Sequence, residues 1–288
     1  MVKAYDKTLR RSFALPELAN SGCGPRPSPR AATTVQTKSC PYHIVMACFL
    51  GGQVLMRILR GRVNGQRTLE QMVAAGPLTL TPVLLTNVFA GMIFTVQTAR
   101  ELERFGAMHA LGGAFAMAFC RELAPILTAA IMAGQVGTAY AAEIGCMKVT
   151  DQIDALKVLR TDPIDYLVVP RVVACCVMLP VLTVLGLVLG IVGGAGVAFL
   201  LYEMPASQFL DSVRSLMVLN DLIAVLIKSV LFGAIVALAG CTWGLTTTCS
   251  RSVGRAATSA VVTTWVGLFM VDFFLSLVLF GGAGVALH

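Results

Sequence analysis

The chain has 288 residues, of which 57% are hydrophobic and only 13% are charged, and its mean hydropathy is +0.80. A soluble domain of this length carries about twice that fraction of charged residues, so the composition excludes an ordinary soluble globular protein. The net charge of +7 is accounted for by Lys and Arg in loops that are not translocated, which argues against nucleic acid as a partner.

Residues 1–40 are basic, with Asp6 and Glu17 as their acidic residues, and Ser, Thr and Pro are frequent. They contain no continuous apolar core of the kind that a secretory signal requires. This composition is typical of an organelle transit peptide. A disordered basic tail is the alternative interpretation.

Residues 42–75 alternate between apolar and basic side chains. Phe49, Val54, Leu55, Ile58 and Leu59 are predicted to share one helix face. The basic residues near the lipid head groups are then Arg57, Arg60, Arg62 and Arg67. This pattern predicts an amphipathic helix that lies on the membrane surface.

The remainder, 76–288, holds long uncharged runs, each sufficient for a helix to cross a hydrocarbon core of ~30 Å. The alternating segments of about ten residues that mark a transmembrane barrel are not seen. We therefore predict an all-α integral membrane protein with about five spans. The predicted spans are 78–98, 107–142, 167–201, 222–246 and 256–287.

The basic residues give the orientation. With the amino end inside, the inner segments hold Arg57, Lys148, Lys157, Arg171 and Arg251. The outer segments mix Arg100, Arg104 and Arg214 with acidic residues. By the positive-inside rule, the polar run that follows Glu143 faces the cytosol or its equivalent.

Small residues recur at every fourth position in two of the predicted spans. One stripe includes Gly137 and Gly145, and the other contains Gly186, Gly190 and Gly194. This spacing lets a second helix approach closely. Packing within the chain is the favoured interpretation, and a dimer interface is the alternative.

Four ionisable residues fall at membrane depth. Arg121 and Glu122 precede Pro125, where a backbone donor is missing, so the helix is either long and tilted or bent. These two are predicted to lie near a polar cavity, or else to form a structural ion pair. Lys228 and Asp272 lie at similar depth in antiparallel spans and are predicted to pair, because buried charges need partners.

The inner polar run reads as two pieces. Thr150 is predicted to cap a short helix, Asp151–Leu159, which is too short to span a membrane. Asp162 is predicted to cap the next helix, with Pro163 at its first position. The short helix is either an ordinary loop helix or a docking site for a partner.

Several catalytic patterns are absent from the sequence. It contains no G-x-x-x-x-G-K-[ST], G-x-S-x-G or H-E-x-x-H motif. Its Cys and His residues have no metal-ligand spacing. We expect a transport protein that is not itself an enzyme and that binds no cofactor. A secondary transporter or channel with Lys228 and Asp272 as an ion or proton site is one such function.

Three segments resemble the MlaE-type permeases of ABC lipid transporters. The first is RELAPILTAAIMAGQVGTAYAAEIGCMKVTDQIDALKVL, the second DPIDYLVVPRVVACCVMLPVL and the third DLIAVLIKSVLFGAIVALAGC. The similarity covers roughly residues 45–287. The transit-like amino end favours the plastid branch of the family, in the chloroplast inner envelope. A bacterial inner-membrane member is the alternative.

The resemblance implies a homodimer that works with a separate cytosolic or stromal ATPase, which carries the ATP and Mg. It also implies an MCE-type lipid-binding protein on the other face and a phospholipid cargo, phosphatidic acid or a related lipid. By the same resemblance, Arg121, Glu122 and Pro125 belong to the lipid cavity. The residues implied to couple to the ATPase are Glu143, Met147, Lys148, Asp151, Asp154 and Leu156. The chain departs from the family pattern at Ala124 and Gln135, where the family has Gly and a basic residue.

Overall fold

The computed structural model of the chain describes residues 45–61, 64–217 and 219–280. These residues form helices joined by short connections, so the predicted all-α fold is confirmed. Five of the helices described are long and apolar enough to cross a membrane, and they are called the first to fifth spans here. Their bounds are Gly65–Arg104, Met108–Val149, Ile164–Tyr202, Leu219–Leu245 and Ser250–Val278. The predicted transit segment, 1–40, lies outside the described residues.

The boundary between the amino-terminal helix and the first span lies earlier in the chain than predicted. A helix covers Val45–Leu59, and the first span starts at Gly65, ahead of the predicted start at residue 78. The side chain of Asn64 caps it by accepting from the Arg67 amide. A helix of 40 residues is about 60 Å long, so its polar first turns extend beyond the hydrocarbon core.

The second span is one long helix with two widened turns. π-helical segments cover Ala116–Leu123 and Ala133–Gly137. The first of them ends just before Pro125. Proline has no backbone N–H to donate the regular helical hydrogen bond, and its ring clashes with the carbonyl one turn earlier. A π segment relieves that conflict without breaking the helix. The sequence left two alternatives for this segment, a long, tilted helix or a helix that bends near Pro125. The structure has the long helix.

The predicted glycine stripes pack within the chain. A Cβ atom added to Gly186 would lie 2.8 Å from the amide nitrogen of Asn87, and one added to Gly194 would lie 2.7 Å from Thr95 Oγ1. Both neighbours belong to the first span. A Cβ atom added to Gly190 would lie 2.5 Å from the Phe119 ring of the second span. One added to Gly240 of the fourth span would lie 2.8 Å from the carbonyl oxygen of Gly137. These contacts support packing within the chain, the favoured interpretation of the stripes.

A helix that the sequence did not predict lies between the third and fourth spans. It covers Ala206–Leu216 and buries Phe209 and Val213. The ring of Phe209 packs edge-on against Phe115 of the second span, with ring centroids 5.5 Å apart. The apolar pair four residues apart was the signal for this helix, which we call the outer helix.

Candidate functional site

Three spans bring charged side chains together inside the bundle. Lys228 Nζ, on the fourth span, lies 2.6 Å from Glu122 Oε2 of the second span. It lies 3.0 Å from Asp272 Oδ1 of the fifth span and donates to Ser276 Oγ at 2.8 Å. The predicted contact between Lys228 and Asp272 is therefore present. We call these four residues the charge cluster.

The members of the charge cluster differ in exposure. The Lys228 side chain is fully buried, that of Asp272 is 14% exposed and that of Glu122 is 36% exposed. Ser276 donates to the Glu122 carboxylate at 3.0 Å and so joins Glu122 to the fifth span. Two carboxylates thus share one ammonium, and Glu122 is the more exposed of the two acidic residues.

Arg121 and Glu122 have different partners, although they are neighbours in sequence. Arg121 Nη2 donates to Asp221 Oδ2 at 2.6 Å, whereas Glu122 belongs to the charge cluster. The two residues therefore do not form the mutual ion pair that the sequence left open. Pro125 is buried, so it shapes the helix instead of facing an open cavity. Asp221 and Ser276 were missed by sequence reasoning.

The short inner helix lies at the opposite end of the bundle. It covers Gln152–Val158 and buries Ile153. Asp154 binds Lys157 at 2.6 Å and lies 3.8 Å from Lys148 at the end of the second span. The hydrogen bond from Lys157 is the main cause that lowers the pKa of Asp154. One ion pair, between Asp154 and Lys148, thus links the short inner helix to the second span.

The predicted cap of this helix is wrong. The Thr150 hydroxyl donates backward to the Cys146 carbonyl at 2.9 Å, because Thr150 ends the second span. Asp151 follows in the left-handed conformation, with φ 59°, and reverses the chain. Met147 and Leu156 pack against the core from the two sides of this turn.

The start of the third span is tied to the amino-terminal helix. The Asp162 carboxylate accepts from the Ile164 amide at 3.1 Å, which confirms the predicted cap. Arg57 reaches both Asp162, at 2.7 Å, and Asp165. Burial acts to lower the pKa of Arg57, but the hydrogen bonds to both carboxylates outweigh it and raise the pKa. The Arg67 guanidinium lies over the Tyr166 ring, 3.2 Å from its centroid.

Another ion pair joins the two spans that precede and follow the short inner helix in the chain. Arg171 Nη2, on the third span, donates to Glu143 Oε2 of the second span at 2.8 Å. The Arg171 side chain is nearly buried, and its guanidinium lies 5.1 Å from the centroid of the Tyr140 ring. Sequence reasoning counted Arg171 among the inner basic residues and missed this contact. The spans on either side of the short inner helix are thus joined at its base.

Charge reversal at Arg57 tests the contact with the third span. Arg57→Glu places a carboxylate against Asp162 and Asp165, and we expect a loss of about 1–2 kcal/mol in the free energy of unfolding. Hydrogen exchange should rise in Val45–Leu59 and at the start of the third span. Arg60→Glu, at an exposed position one turn later, serves as the control. An unchanged exchange pattern in Arg57→Glu would contradict the contact.

The described residues contain no group of three or more His, Cys, Asp or Glu side chains that could hold a metal ion. At the inner end, ion pairs join the second span to the short inner helix, the second span to the third span, and the third span to the amino-terminal helix.

Comparisons with known proteins agree with this architecture. The family described as Permease MlaE matches residues 68–278. A probable ABC transporter permease protein of Synechocystis sp. is 51% identical over 243 residues, which cover 84% of this chain and 92% of the relative. The Arabidopsis thaliana protein TRIGALACTOSYLDIACYLGLYCEROL 1, chloroplastic, is 44% identical over 239 residues, covering 83% of this chain and 68% of the relative.

A more distant relative supports the same assignment. A probable ABC transporter permease protein of Rickettsia typhi is 36% identical over 213 residues, which cover 74% of this chain and 82% of the relative. The matched family region contains all of the charge cluster and the short inner helix. The chain therefore belongs to the MlaE family of ABC transporter permeases.

Proposed function

We propose that this chain is the permease subunit of a multi-subunit transporter that moves phospholipids between membranes. The charge cluster is the observation that carries the proposal. Charged side chains at membrane depth are costly and tend to mark the path of a ligand or ion. The exposed part of Glu122 gives a polar surface within an apolar bundle, as a lipid with a charged head group requires.

A separate ATPase supplies the energy in this proposal. The chain has no nucleotide-binding P-loop of its own, so ATP and Mg²⁺ bind to the partner. The short inner helix is the docking element, because its last residue, Val158, and the residue that follows, Leu159, are largely exposed. The ion pair of Asp154 with Lys148 of the second span, and the ion pair of Glu143 with Arg171, then carry the ATPase movement into the spans.

The remaining partners follow from the exposed surface and from the relatives. The fifth span exposes Val266, Phe269 and Phe273, and we propose that lipid and a second copy of the chain share this face. An MCE-type lipid-binding protein meets the outer end. The name of the Arabidopsis relative includes "chloroplastic", which supports the plastid inner envelope as the location. The Synechocystis relative supports a bacterial inner membrane as the alternative.

Truncation of Glu122 tests the proposed function. Glu122→Ala removes the open carboxylate and one partner of Lys228, and we expect at least a tenfold loss of ATP-dependent lipid transfer. The measurement is transfer of a fluorescent phospholipid between vesicles that contain the permease and its ATPase. Dimer assembly, followed by size-exclusion chromatography, should be unchanged. Wild-type transfer rates in Glu122→Ala would contradict a role for Glu122.

The charge cluster also supports a second candidate, a secondary transporter that carries an ion or proton at Lys228 and Asp272. The observation in its favour is the contact of 3.0 Å between these two side chains within the bundle. Transport driven by an ion gradient, without added ATPase, would support this candidate. Transport that requires both ATP and the ATPase would support the permease.

A further inference from the structure

The members of the charge cluster are exposed to different degrees. The side chain of Glu122 is 36% exposed, that of Asp272 is 14% exposed and that of Lys228 is fully buried. Because Glu122 is the most exposed of the three, a ligand that approaches Lys228 from outside the bundle meets Glu122 first. Because Glu122 Oε2 already lies 2.6 Å from Lys228 Nζ, a ligand anion and Glu122 compete for the same ammonium.

We propose that Glu122 is a displaceable internal anion, and that the phosphate oxygens of a phospholipid head group take its place on Lys228. This inference rests on the proposed function and adds the chemistry of its binding site. Carboxylate and phosphate oxygens both form short, charge-assisted hydrogen bonds with an ammonium group. The exchange therefore leaves Lys228 paired at every stage.

The other charged groups nearby are poorly placed for this role. Arg121 is held by Asp221 at 2.6 Å, and the Asp221 side chain is only 11% exposed. The Asp272 side chain is only 14% exposed, less than half as much as that of Glu122. Glu122 can swing outward because its side chain is partly exposed and because the group of the fifth span that donates to its carboxylate is a neutral hydroxyl, that of Ser276. Glu122 is therefore the group that yields.

Displacement of Glu122 also provides for release of the lipid. Once displaced, its carboxylate stays close to the bound phosphate and repels it, since like charges at short distance are unfavourable in a partly desolvated site. The same residue thus limits the affinity for an anionic head group and returns to Lys228 when the lipid leaves. A transporter needs such moderate affinity, because a tightly held lipid would not be delivered.

The Glu122→Gln variant tests this exchange. The amide keeps the shape of the side chain but removes the competing charge, so dansyl-labelled phosphatidic acid should bind about tenfold more tightly to the full chain in detergent micelles, the equivalent of one unfavourable charge contact removed. Transfer in vesicles with the ATPase should slow because release is slower. Glu101→Gln, at an exposed position of the outer end, should match the wild type.

Further measurements keep the test decisive. Lys228→Gln should lose most of the binding, and Lys228→Arg, which keeps the charge if Lys228→Gln fails to fold, should retain it. Displacement of the probe by phosphatidic acid but not by glycerol phosphate supports a lipid head group. Displacement by glycerol phosphate supports the oxyanion exchange but assigns it to a soluble phosphate.

Two results separate the failure of this inference from that of the proposed function. A folded Glu122→Gln protein that binds the probe no more tightly than the wild type overturns the exchange. If the variants differ from the wild type in binding as expected, but the wild-type protein transfers no lipid with its ATPase and ATP, the proposed function is overturned and the exchange stands.

Discussion

Replacement of Lys228 by Met is expected to reduce the free energy of unfolding by about 3–5 kcal/mol, because it leaves the mostly buried carboxylate of Asp272 and the partly exposed carboxylate of Glu122 without their counter-charge. Lys228 is fully buried and contacts Glu122 at 2.6 Å and Asp272 at 3.0 Å. Met has a similar length and leaves no large cavity, so the loss reports charge. Unfolding by SDS in mixed micelles, followed by circular dichroism, measures the change.

A control and a rescue define the origin of the effect. Lys157→Met removes the exposed pair with Asp154, which should cost no more than about 1 kcal/mol. Adding Glu122→Gln and Asp272→Asn to Lys228→Met should recover much of the loss, because the uncompensated charges are then gone. If the triple variant is as unstable as Lys228→Met alone, packing, and not charge, is responsible for the loss.

A double-mutant cycle isolates the predicted pair. Lys228→Ala, Asp272→Ala and the double variant should differ from additivity, because the two side chains are in contact. Additive losses would contradict a direct interaction between Lys228 and Asp272.

The spans could be predicted from the sequence because their length and hydropathy exceed those of any soluble helix. The contact between Lys228 and Asp272 could be predicted as well, because each lies a countable number of turns from the outer end of its span. Glu122 could not be placed in the same way. It lies within a helix of 42 residues, preceded by a long uncharged stretch, so counting gave it no fixed depth.

Other contacts depend on tertiary structure that no local pattern indicates. Sequence reasoning assigned no role to Asp221, which is buried in the first turn of the fourth span and binds Arg121. Arg171 was counted among the inner basic residues, and its burial against Tyr140 depends on the neighbouring spans. Ser276 has no charge and occurs in an apolar run, so only the structure identifies it as a partner of Glu122. The roles implied for Glu143, Lys148 and Asp151 remain predictions.

Helix packing is the second feature on which a large effect is expected. Gly91 of the first span faces the backbone carbonyl of Gly190 in the third span, and an added Cβ atom would overlap that oxygen. A backbone atom in the middle of a helix cannot rotate away as a side chain can. The first and third spans must therefore separate to accept any larger residue at position 91.

Gly91→Ala is accordingly expected to destabilise the protein by about 1–3 kcal/mol, the usual cost of overpacking, despite the better helix propensity of Ala. Gly76→Ala, on the same span, meets only the flexible end of Met178 and should cost much less. Gly196→Ala, on the third span, meets no atom within 4 Å and should be neutral or stabilising by up to about 1 kcal/mol. Thermal unfolding in detergent compares the three variants. Equal losses in all three would contradict a special role for the contact at Gly91, whereas a loss confined to Gly91→Ala assigns its role to the close approach of the first and third spans.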